Sequence, residues 1–311
     1  MATCAEFEFQ KCGFERGVVK ANPDIAGIGI ILSFLVTTSV TVLAGFYRIL
    51  FDFITEFFLT PYQQDIVRFP SGDGWLWVNP GFWARVVDRL LLALNDSQLF
   101  TGTAVQVASL VQHCEITIYH LRIVAELAFL STVTHLLTVV AMSGYFIDNA
   151  GSNTPRVLVM LLNLGLLGYT TWFAYLYEAA SPFDESLQLG CYYAGYRPPV
   201  VASFTVRWTL LLLAAVLGHL VVFLAMYWKG FRTWIAGTRG AALRFFRTAI
   251  LVPAYTIYGL VSSSRVLRQT QALGTPPVDI EGSEREWGFG QILALLLLAL
   301  IVLPGWDSFM E

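Results

Sequence analysis

Long apolar segments separated by short polar ones run through most of this chain. A helix needs about 20 apolar residues to cross a bilayer, and seven segments come close to that length. No segment alternates apolar and polar residues with the period of two that a membrane barrel requires. The pattern therefore predicts an all-α integral membrane bundle of seven transmembrane helices, at about residues 25–46, 97–112, 118–145, 157–177, 204–228, 242–261 and 289–303.

The segment between the first and second predicted spans has a different character. Residues 51–59 and 82–94 are apolar but carry several charges. In the second stretch, Arg85, Asp88 and Arg89 fall on one helical face, which is typical of an amphipathic helix lying on the membrane surface. We therefore predict an interfacial helix here. The alternative is a short eighth span.

The sequence predicts one transmembrane domain that covers residues 1–311. Residues 1–24 form an outer N-terminal segment, residues 47–95 form an inner loop that contains the amphipathic helix, and residues 304–311 form a short C-terminal tail. Asp96 and Ser97 are predicted to cap the start of the second span, because a side-chain oxygen can accept from a free backbone N–H there.

Positive charge and cysteines both bear on orientation. Cytosolic loops of membrane proteins carry an excess of Lys and Arg. Most of that excess in this chain lies between residues 229 and 247. The N-terminus is then lumenal or outside and the C-terminus cytosolic, and we expect the endoplasmic reticulum as the membrane. This topology places all four cysteines on the outer side, where disulfides form, although their pairing stays open. They are Cys4, Cys12, Cys114 and Cys191.

Composition narrows the class of function. The chain is 56% hydrophobic and only 13% charged, whereas soluble domains carry about 25% charged residues. A net charge of −3 argues against a nucleic-acid partner. Phosphate-binding, nucleophile-elbow, zinc-protease and dinucleotide motifs are missing, and the spans hold no acidic pairs for magnesium and diphosphate. We expect no metal and no cofactor.

The third predicted span holds most of the candidate chemistry. Tyr119, Arg122 and Glu126 form a polar stripe on one helix face, and Arg122 and Glu126 are spaced to neutralise one another. His120 and His135 could share a second face. Ionisable groups inside a span are costly, so they are functional candidates by default. The alternative is a hydrogen-bond network that only fixes helix packing.

Aromatic residues in the spans are candidates for lining a substrate cavity. Aromatic side chains make up 14% of the chain, and their faces can contact lipophilic ligands or cations. Aromatic residues at helical spacing also serve as packing or interfacial belt residues, and that alternative stays open. The candidate substrate-binding residues are Phe129, Trp172, Tyr169, Tyr175, Tyr255 and Trp208.

Several short motifs resemble a family of filamentous-fungal polytopic membrane proteins. Residues 22–29 read Asn-Pro-Asp-Ile-Ala-Gly-Ile-Gly, and residues 94–102 read Leu-Asn-Asp-Ser-Gln-Leu-Phe-Thr-Gly. Tyr-His at 119–120 is followed by Glu-Leu-Ala-Phe-Leu-Ser at 126–131 and Thr-His-Leu at 134–136. The family's usual wording is close to NPDIAGIGV, LSDQQLVTG, and YH followed by DLAWFSSxTHL.

The chain is similar, in particular, to the membrane-bound terpene cyclases of fungal meroterpenoid biosynthesis. The resemblance implies cyclisation of a prenyl chain, begun by protonation of an epoxide or alkene. It places Glu126 where the family has its acid, and Asp24, Asp96, His120 and His135 on motif positions. This sequence departs from the family with Asn95 in place of Ser, Glu126 in place of Asp and Phe129 in place of Trp.

Two other classes share these sequence features. A seven-span receptor, sensor or small-molecule binding protein would have the same architecture, although the short inner loop at 229–247 offers little coupling surface. A transporter would show internal repeats, and none is visible. The enzyme hypothesis predicts a lipophilic prenylated substrate and membrane lipid as partners, with a metal-independent reaction.

Overall fold

The computed structural model describes Cys12, residues 17–58, 80–180 and 184–301, and residue 303. Cys4, most of the predicted inner loop before residue 80, and the predicted tail 304–311 lie outside these residues. The described helices are α1 (Pro23–Ala26), α2 (Ile28–Phe58), α3 (Pro80–Val111), α4 (Ile118–Ala141), α5 (Ser143–Asp148), α6 (Ala150–Ala179), α7 (Gly190–Tyr193), α8 (Ala202–Tyr227), α9 (Lys229–Ala236), α10 (Thr238–Phe245), α11 (Val252–Leu267) and α12 (Phe289–Leu300).

Two further features complete the described secondary structure. A π-helical segment, Phe246–Leu251, joins α10 to α11 without a break. Strands β1 (Val19–Lys20) and β2 (Ile280–Glu281) pair in parallel. Beyond this short pair and one isolated bridge, the regular secondary structure described is helical, so the predicted all-α class is confirmed.

Five helices within the described ranges are long and apolar enough to cross a membrane. Helix α12 is apolar but only 12 residues long, and α3 is more polar than the five. These findings support a membrane bundle, while the number of seven spans stays a prediction. The five are Pro23–Thr55, Ile118–Ala141, Ala150–Ala179, Ala202–Tyr227 and Thr238–Leu267.

The predicted break between the interfacial helix and the second span is absent. Residues 82–94 belong to α3, which continues without interruption to Val111. Asp96 and Ser97 therefore lie inside a helix and do not cap its start. The charges are accommodated because other helices supply partners, as where Arg48 of α2 donates to Asp88 over 2.6 Å. The sequence pattern showed the charges but not these partners.

Helix α4 lies at the centre of the bundle, with α2, α3, α6, α8 and α11 packed around it. Small residues on the surrounding helices allow this close approach, as is common between membrane helices. A Cβ added at Gly259 of α11 would lie 2.6 Å from the Phe129 ring. One added at Gly102 of α3 would lie 2.3 Å from the Ser131 hydroxyl. The polar residues of α4 are consequently enclosed by protein.

A disulfide links the N-terminal segment to the short helix α7. Cys12 and Cys191 are joined, with their Cα atoms 5.7 Å apart, and Cys114 is disulfide-bonded as well. The described residues hold no free cysteine. Three of the cysteines predicted to face the outer compartment are thus oxidised, as expected on that side of a membrane.

Candidate active site

Glu126 lies in the middle of α4 and is 1% exposed. Two consecutive serines of α11 bind its carboxylate. Ser262 donates to Oε1 over 3.1 Å and Ser263 donates to Oε2 over 2.9 Å. The carboxyl group is therefore held in one orientation by a neighbouring helix that begins more than 120 residues later in the chain.

The predicted ion pair between Arg122 and Glu126 is not formed. Arg122 pairs instead with Glu185, which lies in the loop before α7. That loop covers the start of α4, where the Tyr119 N–H donates to the Glu185 carbonyl over 2.9 Å. Helical spacing allows a contact between Arg122 and Glu126, but it does not exclude partners from elsewhere in the chain. The loop supplies Glu185 to Arg122, and α11 supplies two serines to Glu126, so the prediction is wrong. Glu126 has no cationic partner within hydrogen-bond distance among the described residues.

A polar cleft of about 200 Å³ lies beside this ion pair. Burial raises the pKa of the Glu185 carboxyl above its ordinary value, and the Arg122 guanidinium opposes that shift. Glu178 of α6 lines this cleft and pairs with Arg207, which contacts the aromatic residues described next. Its lining residues are Ile118, Arg122, Tyr177, Glu178, Asp184, Glu185 and Gln269.

Two tyrosines, one on α6 and one on α11, approach Glu126 and belong to a larger group of aromatic residues. The Phe129 ring lies 4.7 Å from that of Tyr255 and 5.9 Å from that of Tyr258, measured between centroids. Tyr175 and Tyr255 are close enough to Glu126 to interact with it electrostatically. Both hydroxyls are enclosed and lack a hydrogen-bond partner among the described residues. Buried hydroxyls are usually bonded, so these two are available to a ligand.

Arg207 of α8 connects the aromatic residues to the cleft. Its guanidinium lies 4.0 Å from the centroid of the Tyr175 ring. It donates to the Tyr258 hydroxyl and to Glu178, each over 2.8 Å. The positive charge of Arg207 is thus shared with Glu178 at the edge of the cleft, and Arg207 does not contact Glu126.

The remaining candidate aromatic residues divide into two groups. Trp172 packs edge-on against Trp208 at 4.9 Å, in the apolar cluster that also contains Tyr175. Tyr169 instead contacts Phe173 and Tyr193, with 2.9 Å between the Tyr169 and Tyr193 hydroxyls. The structure therefore places Phe129 against Tyr255, which approaches Glu126. Trp172 and Trp208 pack in the cluster of Tyr175, and Tyr169 has other partners.

Tyr119 and His120 belong to a separate buried network built around Glu284. The Tyr119 hydroxyl donates to Oε2 of Glu284 over 3.0 Å, and Nε2 of His120 lies 3.1 Å from Oε1. Nδ1 of His120 lies 2.9 Å from the Thr117 hydroxyl, so both ring nitrogens are engaged. Glu284 is fully buried, yet it comes from the polar loop after β2. Sequence reasoning missed it because nothing in that loop marks a buried residue.

His135 belongs to a third network, at the other end of α4. Its Nε2 lies 2.9 Å from the Ser131 hydroxyl and its Nδ1 lies 3.1 Å from the Asn95 amide oxygen. Asp96, which follows Asn95 in the sequence, forms a bidentate ion pair with Arg156, and both N–O distances are 2.7 Å. His120 and His135 therefore have different partners, and the prediction that they share a functional face is not supported.

Asp24 lies where α1 meets the start of α12. Its Oδ1 accepts from the Gly290 N–H over 3.2 Å at the start of α12, and the residue is exposed. Nearby, the Gly29 N–H donates to the side chain of Gln291 over 2.9 Å. A Cβ at Gly27 would lie 2.4 Å from that side chain. The first motif of the sequence thus holds the last described helix against α2, and Asp24 does not contact Glu126.

Comparison with known proteins gives one partial similarity and two negative results. A protein of Elsinoe fawcettii named elsinochromes biosynthesis cluster protein HP3 is 26% identical over 114 residues. The alignment covers 36% of this chain and 43% of that relative, so less than half of the relative is represented. No family model and no solved structure matches. The similarity supports the predicted resemblance to fungal biosynthetic-cluster proteins, and it names no reaction.

Proposed function

We propose that this chain is a membrane-bound terpene cyclase of a fungal biosynthetic pathway, with Glu126 as the acid that starts the reaction. The observation that carries the proposal is the setting of Glu126. It is a carboxyl group enclosed in the central helix, it has no ion-pair partner among the described residues, and Tyr175 and Tyr255 lie close enough to interact with it electrostatically. The relative in a fungal biosynthesis cluster supports the pathway, and the apolar helices support the membrane location.

The acid must be neutral to donate a proton. A carboxyl group in apolar surroundings favours its neutral form when no counter-charge is near. Arg122 is occupied by Glu185, and Arg207 by Glu178. A neutral Glu126 still satisfies both serines, because a serine hydroxyl accepts as well as donates. Ser262 and Ser263 would then aim the acidic proton.

The reaction would be an isomerisation of a lipophilic prenylated substrate. Glu126 protonates an epoxide oxygen, a carbon–oxygen bond breaks, and a carbocation forms; for an alkene, the proton adds to carbon instead. Neighbouring double bonds then supply electron pairs for new carbon–carbon bonds. A proton is finally lost to the Glu126 carboxylate or to water, so that no redox partner or metal ion is required.

The aromatic residues suit the later steps. Ring faces attract cations, by about 0.5–2 kcal/mol for each contact. Tyr255, which approaches Glu126, and the Phe129 and Tyr258 rings packed with it would supply such faces, and burial excludes the water that would quench a carbocation early. The unpaired hydroxyls of Tyr175 and Tyr255 could bind the oxygen of an epoxide or of the new alcohol.

The test uses microsomes that contain the full chain, with no added metal. A panel of epoxy-prenyl and prenylated aromatic substrates is supplied, and products of unchanged mass and altered retention are sought by mass spectrometry. A positioned general acid contributes about 10²–10⁴-fold to rate. Glu126→Gln should therefore reduce product formation at least about 100-fold.

Two further variants control this experiment. Glu126→Asp keeps the acid and should retain measurable product, whereas Glu281→Gln makes the same chemical change at an exposed strand residue and should retain wild-type rates. Failure of folded wild-type protein to convert any substrate in the panel would contradict the proposal. Unchanged conversion by Glu126→Gln would remove Glu126 from the acid role.

A further inference from the structure

Arg247 is a buried cation that has no counter-ion in the part of the chain that the structure describes. It is 6% exposed, and its Nε has no hydrogen-bond partner among the described residues. Its only charged neighbour identified within the described residues is another cation, Arg244. Arg244 donates to the carbonyl of Ile235, at the end of α9. An unpaired charge within a membrane helix is costly, so such a residue marks a binding site by default.

The backbone around Arg247 is irregular in a way that directs this side chain inward. Arg247 lies in the π-helical segment Phe246–Leu251. The widened turn buries Arg247 while Phe245, Phe246 and Ile250 on the same stretch remain exposed, by 66%, 47% and 50%. Single π turns in α-helices occur frequently at functional sites.

A second buried nitrogen without a partner lies near Arg247. His219 of α8 is 1% exposed, and its Nδ1 lies 2.8 Å from the Ala215 carbonyl. With Nδ1–H donating to that carbonyl, Nε2 is an enclosed hydrogen-bond acceptor that has no partner among the described residues. His219 is close enough to Arg247 for their charges to interact. Arg247 and His219 thus each have a buried nitrogen without a partner, and the two side chains lie near each other.

We propose that Arg247 and His219 form a binding site for the phosphate monoester headgroup of an anionic lipid in the cytosolic leaflet, with the P–OH of the monoester donating to Nε2 of His219. The guanidinium group forms forked hydrogen bonds with phosphate oxygens, and phosphate supplies the missing negative charge. The exposed Phe245, Phe246 and Ile250 give acyl chains an apolar surface beside Arg247. Exposed Trp228 and Trp234 of the adjoining segment fit the interface where headgroups lie.

The site is tested on purified full-length protein in neutral detergent. Phosphatidic acid, phosphatidylcholine and inorganic phosphate are added separately, and bound lipid is counted by native mass spectrometry while the unfolding temperature is followed by fluorescence. Hydrogen bonds to charged groups contribute about 1.5–3 kcal/mol. Arg247→Gln should therefore weaken phosphatidic acid binding by about tenfold or more.

Matched variants separate loss of the site from loss of the fold. Arg247→Lys keeps a charge and should restore part of the binding, and Arg239→Gln removes a nearby exposed charge and should leave binding unchanged. A wild-type protein that does not distinguish phosphatidic acid from phosphatidylcholine would overturn the proposal. If inorganic phosphate raises the unfolding temperature as much as phosphatidic acid does, the proposal of a lipid ligand is wrong and the site binds soluble phosphate. If Arg247→Gln does not fold, the proposal is tested by measuring phosphatidic acid binding to the Arg247→Lys and His219→Gln variants.

Discussion

The contact between Gly259 and Phe129 permits a sharp test of how the candidate site is built. Gly259→Ala adds one methyl group to α11 where that helix meets α4. The new Cβ would lie 2.6 Å and 3.0 Å from two carbons of the Phe129 ring and 2.8 Å from a methyl group of Val133. Ordinary carbon contacts are about 3.5–4.0 Å, so either the ring or the helix must move.

The size of the effect follows from two opposing contributions. Forcing a methylene-sized group into a packed core costs about 1–3 kcal/mol. Replacing glycine by alanine within a helix gains about 0.5–1 kcal/mol. We therefore expect Gly259→Ala to lower the free energy of unfolding by about 1–2 kcal/mol. Gly165→Ala is the matched control, because no other group lies within 4 Å of its added Cβ, and it should be neutral or stabilising.

The assay is thermal unfolding of both variants in the same neutral detergent, followed by circular dichroism. A change of 1 kcal/mol shifts the midpoint by about 2–4 °C in a chain of this order of size. Gly259→Ala should thus unfold several degrees below wild type and should also reduce isomeric product, because Phe129 packs against Tyr255, which approaches Glu126. Equal midpoints for Gly259→Ala and Gly165→Ala would show that the two helices are not in the described contact.

Three other perturbations have defined outcomes. Glu284→Gln and His120→Ala should each destabilise by about 1–3 kcal/mol, and the double variant should cost less than the sum in a double-mutant cycle, because both remove one contact. Arg156→Ala should lower the unfolding midpoint and Asp96→Asn should partly restore it, since the second change removes the unpaired charge left by the first. The raised pKa of Glu185 means that the folded state binds its proton more tightly than the unfolded state. Wild type should therefore lose stability relative to Glu185→Gln as pH rises from about 4.5 through that raised pKa; a difference independent of pH would contradict this assignment.

The sequence predicted individual helices better than the contacts between them. Helix α4 begins at the predicted residue 118, and its ionisable residues are buried as expected, except for the half-buried Arg122. The partner of Arg122 could not be predicted, because helical spacing permits the contact with Glu126 but does not decide between it and a loop carboxylate. Glu284 was beyond reach for a related reason. It approaches His120 across 164 residues of chain, and its burial depends on how a whole loop folds over α4.

The same limit explains why the predicted break within α3 is wrong. Charges in an apolar segment indicate a separate interfacial helix when water is their partner. Asp88 and Asp96 instead have arginine partners on α2 and α6, and both lie within one helix that runs to Val111. Sequence spacing within one segment contains no information on such partners from other helices.

The arrangement of Glu126 also has a consequence for the biogenesis of the chain. Its hydrogen-bond donor Ser262 is 136 residues farther along, and synthesis proceeds at about 5–20 residues per second. Helix α4 therefore enters the membrane roughly 7–27 s before α11 can shield its acidic group. During that interval the helix must remain beside the insertion machinery or a membrane chaperone. Production of this protein should consequently depend on such factors more than its overall hydrophobicity suggests.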